Sequence, residues 1–156
     1  MDFMEVVSKR RSIRKYRPDP VPEEVLNQVL EAARLAPSGG NAQPWHFVVV
    51  KDPEKKRALG ISDWAQQAPV VIVGCTEAPS QTDIAIAFEH LVLAAANFGL
   101  GTCWIGRWGA DGEIKRALNI PADVRVLAVT PLGYPAESPP ARPRKPLSQI
   151  VHRERF

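Results

Sequence analysis

The chain has 156 residues, of which 45% are hydrophobic, a formal net charge of +3 and a sequence pI of about 9.1. This length fits one domain over residues 1–156, and no apolar run approaches the roughly 20 residues that cross a bilayer. Because the N-terminus also lacks the apolar segment of a secretory signal, we expect a cytoplasmic protein without a membrane partner.

The positive charge is concentrated at the two ends of the chain. Residues 1–19 contain six Lys or Arg and three acidic residues, and residues 142–156 contain five Lys or Arg and one acidic residue. Nucleic-acid binders more often spread cations along a face, with aromatic side chains between them, and neither end has that pattern. The distribution favours a focused anion site and argues against nucleic acid as the partner.

In chain order, hydrophobic periodicity and capping residues predict alternating helices and strands. The predicted helices cover residues 2–9, 22–34, 52–60, 62–67, 82–98 and 112–118, and the predicted strands cover residues 47–51, 69–76 and 124–130. The unbroken apolar run from Val70 to Val73 is typical of a strand covered on both faces, so this strand belongs in the middle of the sheet.

The helix over residues 82–98, capped by Thr82 or Asp83, is apolar almost all round and must be covered on nearly every side. A second copy of the protein is one cover, since twofold homodimers are the commonest oligomers. The alternative is that the chain's own fold wraps the helix.

The segment from Ala36 to Phe47 has the composition of a binding loop between a helix and a strand. Pro37 ends the helix, Gly39 allows a ligand close to the backbone, and Ser38, Asn41 and Gln43 offer uncharged donors and acceptors. Such groups suit the edge of a heteroaromatic ring. The alternative is an ordinary helix-to-strand connection, because these are also common turn residues.

Two clusters of cations predict a phosphate site. The first places six cations in the nine residues from Lys9 to Arg17, around the hydroxyl of Ser12, and the second contains Arg142, Arg144 and Lys145. Arg binds phosphate oxygens with two parallel hydrogen bonds. The alternative is two solvated charged ends.

The C-terminal part of the chain is rich in proline. Because six prolines occur between Pro131 and Pro146, this part is expected to form neither helix nor inner strand and to run over a surface, which in a dimer belongs to the partner. Cys75 and Cys103 lie in apolar surroundings without metal-ligand spacing, which predicts two reduced buried thiols and no metal site.

Four segments in this order resemble the FMN-dependent nitroreductase family over nearly the full length of the chain. They are Arg10–Tyr16 (RRSIRKY), Ala36–Trp45 (APSGGNAQPW), Gly99–Gly106 (GLGTCWIG), and Pro131–Pro135 (PLGYP) followed by Arg142–Leu147 (RPRKPL). The resemblance implies an α+β fold with three layers, α/β/α, around a central mixed, mainly antiparallel sheet. It also implies an interlocked homodimer with FMN at the subunit interface.

The same resemblance implies three groups of FMN-binding residues. The phosphate and ribityl chain would be held by Arg10, Arg11, Ser12, Arg14, Arg142 and Arg144. The flavin ring would be lined from the other subunit by Pro37, Ser38, Gly39 and Asn41, with Gln43 close by. Backbone N–H groups toward flavin N5 and O4 would come from a turn formed by Ile105, Gly106 and Arg107.

The implied activity is an oxidoreductase that passes electrons from NADH or NADPH through FMN to a nitroaromatic, quinone or similar small-molecule acceptor, in a ping-pong cycle. The cofactor carries the chemistry, so no catalytic side chain is expected. Only about ten residues separate Val73 from Ile84, which leaves no room for a helical roof over the acceptor site. A flavin-binding redox sensor or carrier with little turnover is therefore the alternative.

Overall fold

The computed structural model describes residues 2–156. The helices are α1 (Phe3–Lys9), α2 (Glu23–Arg34), α3 (Pro53–Ala58), α4 (Asp63–Gln66), α5 (Thr82–Asn97) and α6 (Gly112–Leu118). The strands are β1 (Trp45–Val50), β2 (Val70–Thr76), β3 (Gly101–Thr102), β4 (Ile105–Gly106) and β5 (Arg125–Gly133). None of the helices described is long and apolar enough to span a membrane.

The strands form one sheet in the order β1-β2-β5-β3, and β4 pairs with β5 beside β3. All of these strand pairs are antiparallel, whereas Ser12 forms an isolated parallel bridge to Thr102 at the β3 edge. Every residue of β2 is buried between β1 and β5. The predicted central strand and the mixed, mainly antiparallel sheet are therefore confirmed.

Helices cover both faces of the sheet, because successive side chains of a strand point to opposite sides. On one side Ile72 packs into a core that contains buried residues of α2 and α5. On the other, Val71 and Val73 pack with Ala65 of α4 and Ile114 of α6. The three-layer α/β/α architecture is thus confirmed.

The chain's own fold covers most of α5. Ile84, Ala87, Phe88, Leu91, Val92 and Ala95 are buried on this helix. Ile86 on the helix and Phe98 directly after its end stay partly exposed, each at 36%. The apolar character of α5 therefore does not by itself require a second copy. The helix begins at Thr82 without a side-chain cap, so the predicted capping by Thr82 or Asp83 is wrong.

Strand β5 extends further than the sequence predicts. It continues through Pro131 to Gly133, with Pro131 paired to Val71 of β2, so the expectation that the chain leaves the sheet at Pro131 is wrong. On the side of β5 away from β2, β3 pairs with Leu132 and Gly133, and β4 pairs with Ala128 and Val129. Pro131 lies opposite the break between these two pairings, and proline is tolerated there because its missing N–H interrupts no strand pairing. At this break the Cys103 N–H donates to the Thr130 hydroxyl (3.1 Å), which itself donates to the Pro131 carbonyl (2.9 Å).

Candidate functional site

A cavity of about 510 Å³ lies between the two ends of the chain. Its lining consists of Val7, Ser8, Arg10, Arg11, Ser12, Arg14, Pro139, Pro140, Ala141, Arg142 and Arg144. Five of these residues are arginines and none is acidic. The structure therefore brings together the six residues that the family resemblance implies at the FMN phosphate and ribityl chain, whereas Lys145 of the second cluster does not line this cavity.

The N-terminal basic segment is held in place by backbone hydrogen bonds on both sides. On the side of β3, the Ile13 N–H donates to the Thr102 carbonyl (2.8 Å). On the other side, the Arg17 N–H donates to the Tyr134 carbonyl and the Ala136 N–H to the Lys15 carbonyl, both at 2.9 Å. The segment is thus fixed between β3 and the chain that follows β5.

The partly buried side chain of Tyr16 reinforces this arrangement. The Tyr16 hydroxyl donates to the Ile13 carbonyl, and burial raises the pKa of this phenol far above its usual value. The Tyr16 phenol therefore stays neutral and acts as a hydrogen-bond donor inside the segment.

Hydrogen bonds and a ring contact orient the arginine side chains without occupying all of their N–H donors. Arg11 Nη1 donates to the carbonyls of Ser8 (2.7 Å) and Arg10 (2.8 Å), and Arg144 Nη1 donates to the Arg142 carbonyl (3.1 Å). The Arg14 guanidinium lies 5.9 Å from the ring centre of Trp64. Since a guanidinium has five N–H donors, these contacts leave donors for an anion. Five cations and the Ser12 hydroxyl fit a phosphate monoester dianion.

The polar loop is held by hydrogen bonds and lies away from this cavity. Gly40, Asn41 and Gln43 have φ values of 56°, 57° and 50°, a left-handed conformation that suits Gly and Asn. The Ser38 hydroxyl accepts the Gln43 N–H (3.0 Å), and Asp83 of α5 accepts the Gly39 N–H (3.1 Å). The loop from Pro37 to Gln43 does not line the arginine cavity of its own chain.

The predicted turn over Ile105–Arg107 forms strand β4 and the residue after it. The Arg107 N–H donates to the Leu127 carbonyl (2.8 Å), so the expectation that it faces a ligand is wrong. Because hydrogen bonding alternates along an antiparallel pair, the N–H of Gly106 points away from β5. Gly106 is thus the residue of this group with an outward-facing donor.

Comparison with known proteins identifies the family. The model of the nitroreductase family matches residues 7–73 and 57–134. The chain belongs to the nitroreductase family. A relative, the NADH dehydrogenase of Thermus thermophilus, is 34% identical over an alignment that covers 97% of this chain and 95% of the relative.

Two solved structures of family members have the same fold. The FMN-dependent nitroreductase of Clostridium difficile R20291 has a TM-score of 0.89 and 31% identity, with 98% of this chain and 99% of that chain covered. The NADPH:FMN oxidoreductase of Vibrio harveyi, in complex with NAD⁺, has a TM-score of 0.90 and 26% identity. The match covers 100% of this chain and 78% of the Vibrio protein.

This nitroreductase-family chain is short. The alignment with the Thermus relative spans 199 positions against 156 residues here, so the relative carries insertions that this chain lacks. The connection from β2, which ends at Thr76, to α5, which begins at Thr82, is only five residues long.

Sequence reasoning missed one residue at the site. The Glu137 carboxylate accepts the backbone N–H groups of Arg14 and Lys15, and joins the basic segment to the chain after β5. A single acidic residue in a proline-rich segment has no local pattern that would reveal this contact. The bridge between Tyr16 and Pro135 brings the two segments together across more than a hundred residues.

The thiols are buried, and the structure shows no cluster of metal ligands. Cys75 and Cys103 are free and buried, as predicted. Burial raises the pKa of Cys75 to about 12 and also raises that of Cys103. Within residues 2–156, no three His, Cys, Asp or Glu side chains are grouped closely enough to hold a metal ion.

Proposed function

We propose that the protein is an FMN-dependent oxidoreductase that passes electrons from NADH or NADPH to a nitroaromatic, quinone or similar small-molecule acceptor. The observation that carries this proposal is the cavity in which five arginines from both ends of a nitroreductase-family chain meet. The names of its relatives, an NADH dehydrogenase, an FMN-dependent nitroreductase and an NADPH:FMN oxidoreductase, support the same chemistry.

In this proposal the protein binds and orients the cofactor. Arg10, Arg11, Ser12, Arg14, Arg142 and Arg144 hold the phosphate, because their donors surround a cavity without acidic lining. The outward N–H of Gly106 offers a fixed donor to the edge of the flavin. Bound FMN supplies the hydride and electron transfer chemistry, so no side chain has to act as a nucleophile.

We further propose that the flavin site is completed by a second copy of the chain. The loop that includes Pro37, Ser38, Gly39, Asn41 and Gln43 is polar and is held by hydrogen bonds, yet it does not line the arginine cavity of its own chain. A twofold homodimer would bring the loop of one copy to the cavity of the other. The site thus uses residues from both subunits.

The end of the chain supports this assembly. Residues 140–156 are exposed throughout, and they include Leu147 at 72% and Ile150 at 56%. Apolar side chains that extend from a proline-rich segment are suited to a partner's surface. We propose that this segment packs on the other subunit and that the dimer is cytoplasmic.

The decisive experiment is an absorbance spectrum of the purified protein, recorded without oxygen before and after addition of NADH and of NADPH. The proposal predicts a yellow protein that retains FMN on gel filtration and whose visible flavin band bleaches within seconds. A colourless protein that stays colourless after incubation with FMN contradicts it. Retained FMN that bleaches only over hours would instead indicate a redox sensor or carrier.

Addition of acceptors to the reduced protein separates the acceptor classes. Nitroaromatics, quinones, halogenated aromatics, enones and free flavin are supplied singly, and the return of the oxidised flavin band is followed. Because the short β2–α5 connection provides no roof, we expect acceptors of different size to react at similar rates. A strong preference for one small acceptor would contradict an open site.

A further inference from the structure

Glu137 lies where the two ends of the chain meet. It lines a smaller cavity of about 200 Å³, and this cavity shares Arg10, Arg11 and Pro139 with the arginine cavity. The carboxylate therefore adjoins the proposed phosphate site without lining it.

The contacts of Glu137 are with backbone rather than with arginine side chains. Its Oε1 atom accepts the N–H of Arg14 and the N–H of Lys15 (3.2 Å). The preceding Ala136 N–H donates to the Lys15 carbonyl (2.9 Å), so Glu137 ends a short ladder between the two segments. Hydrogen bonds to a carboxylate are among the stronger ones in proteins.

Two effects of this carboxylate on phosphate binding have opposite signs. The negative charge of Glu137 repels a phosphate dianion and competes with it for the guanidinium groups of the arginine cavity. The charge alone therefore weakens anion binding. Its hydrogen bonds fix the backbone from which Ser12 and Arg14 project, which reduces the ordering cost of binding. Removal of Glu137 therefore shows which effect is larger.

We propose that Glu137 is a positioning residue for the phosphate of FMN, holding the segment from Arg10 to Arg14 in its binding conformation. This inference rests on the proposed flavin function. It assigns to an acidic residue a favourable role in a site that binds an anion, because the two backbone hydrogen bonds outweigh the repulsion.

The test compares FMN with riboflavin, which has the same ring and lacks the phosphate. Dissociation constants for both are measured by quenching of flavin fluorescence on flavin-free protein, for the natural chain, Glu137→Ala and Glu137→Gln. Glu54→Ala is the control, since Glu54 is exposed on α3, where it pairs with Arg57 at 4.0 Å. Thermal unfolding of each flavin-free variant checks that it is folded.

We expect Glu137→Ala to raise the dissociation constant for FMN about tenfold, the effect of losing one to two hydrogen bonds. Its riboflavin constant should stay within about twofold of the natural chain, as for a surface substitution. Glu137→Gln keeps an oxygen acceptor and loses the charge, so it should bind FMN at least as tightly as the natural chain.

Unchanged or tighter FMN binding by Glu137→Ala would overturn the proposal, because charge repulsion would then be the larger effect. Equal losses for FMN and riboflavin would also overturn it, in favour of a general structural role. If Glu137→Ala does not fold, Glu137→Met takes its place, because it is neutral like Glu137→Gln and lacks the oxygen acceptor. Weaker FMN binding by Glu137→Met than by Glu137→Gln, at unchanged riboflavin binding, supports positioning, and equal FMN binding by the two neutral variants overturns it. A natural chain that binds no flavin would instead overturn the proposed function itself.

Discussion

Gly101 lies directly against Ile13: a Cβ atom added to Gly101 would fall 2.7 Å from Ile13 Cγ1 and 2.8 Å from Ile13 Cβ. Ile13 lies in the middle of the basic segment, between Ser12 and Arg14, and its N–H donates to the neighbouring Thr102 carbonyl. The missing side chain at Gly101 is therefore what lets the basic segment pack against β3.

Gly101→Ala should consequently displace the segment. We expect a loss of about 1–3 kcal/mol in the free energy of unfolding, the usual cost of overpacking, together with weaker FMN binding. Denaturant unfolding and flavin titration measure the two effects. Gly112→Ala is the matched control, because a Cβ atom there would meet only Arg116 Nη1, at 3.7 Å. Equal stability of the two variants would contradict this account of the close contact.

Arg144→Ala tests the contribution of the C-terminal arginines. Loss of a guanidinium that binds phosphate should weaken FMN binding by about 1.5–3 kcal/mol, the range for hydrogen bonds to charged groups. Riboflavin binding should not change. Arg57→Ala provides the control, since Arg57 lies on α3 outside the arginine cavity. Flavin fluorescence titration gives both constants, and an unchanged FMN constant would remove Arg144 from the site.

Thr130→Val tests how the sheet accommodates Pro131. The substitution keeps the shape of a buried side chain but removes the hydroxyl that accepts the Cys103 N–H and donates to the Pro131 carbonyl. We expect a loss of about 1–3 kcal/mol in the free energy of unfolding, since a buried N–H is left without its acceptor. Thr82→Val on the exposed start of α5 should cost far less. Denaturant unfolding at equal protein concentration compares the two.

The central elements of the fold could be predicted because their local pattern matches their environment. The run Val70–Val73 is apolar without interruption, as a strand buried on both faces requires. The helix at Gly112–Leu118 has the predicted bounds. Pro131 was mispredicted, since proline is tolerated there only through a break on the neighbouring edge, and that break depends on pairing with distant β3 and β4.

At the site, too, features that depend on neighbouring residues could be predicted, and contacts with residues far along the chain could not. The two clusters of cations could be found because grouped arginines indicate a phosphate site from composition alone, whereas the choice of Arg10 and Arg144 within them came from the family resemblance. The role of Arg107 could not, because whether a backbone N–H faces a ligand or a neighbouring strand depends on the register with Leu127. Glu137 escaped prediction for the same reason, since its partners lie more than a hundred residues away.

The buried thiols predict slow chemical labelling. Because burial raises the pKa of Cys75 to about 12 and raises that of Cys103, both stay protonated near neutral pH. The thiolate is the reactive form, so the native protein should react with iodoacetamide much more slowly than the unfolded protein. Mass spectrometry after timed labelling at pH 7 and pH 9 measures this. Rapid labelling of either cysteine at pH 7 would contradict its buried environment.

The exposed end of the chain provides a test of the proposed dimer. Leu147 and Ile150 are 72% and 56% exposed, and burial of such side chains on a partner contributes about 1.5–3 kcal/mol each. The double variant Leu147→Ser/Ile150→Ser should therefore raise the dimer dissociation constant by at least about a hundredfold. It should also lose FMN on dilution, because the polar loop is proposed to come from the other copy.

Gln149→Ser in the same turn is the control, and sedimentation velocity over a concentration series measures dissociation. A natural chain that sediments as a monomer while retaining FMN would refute the shared site, since one copy would then hold the flavin alone.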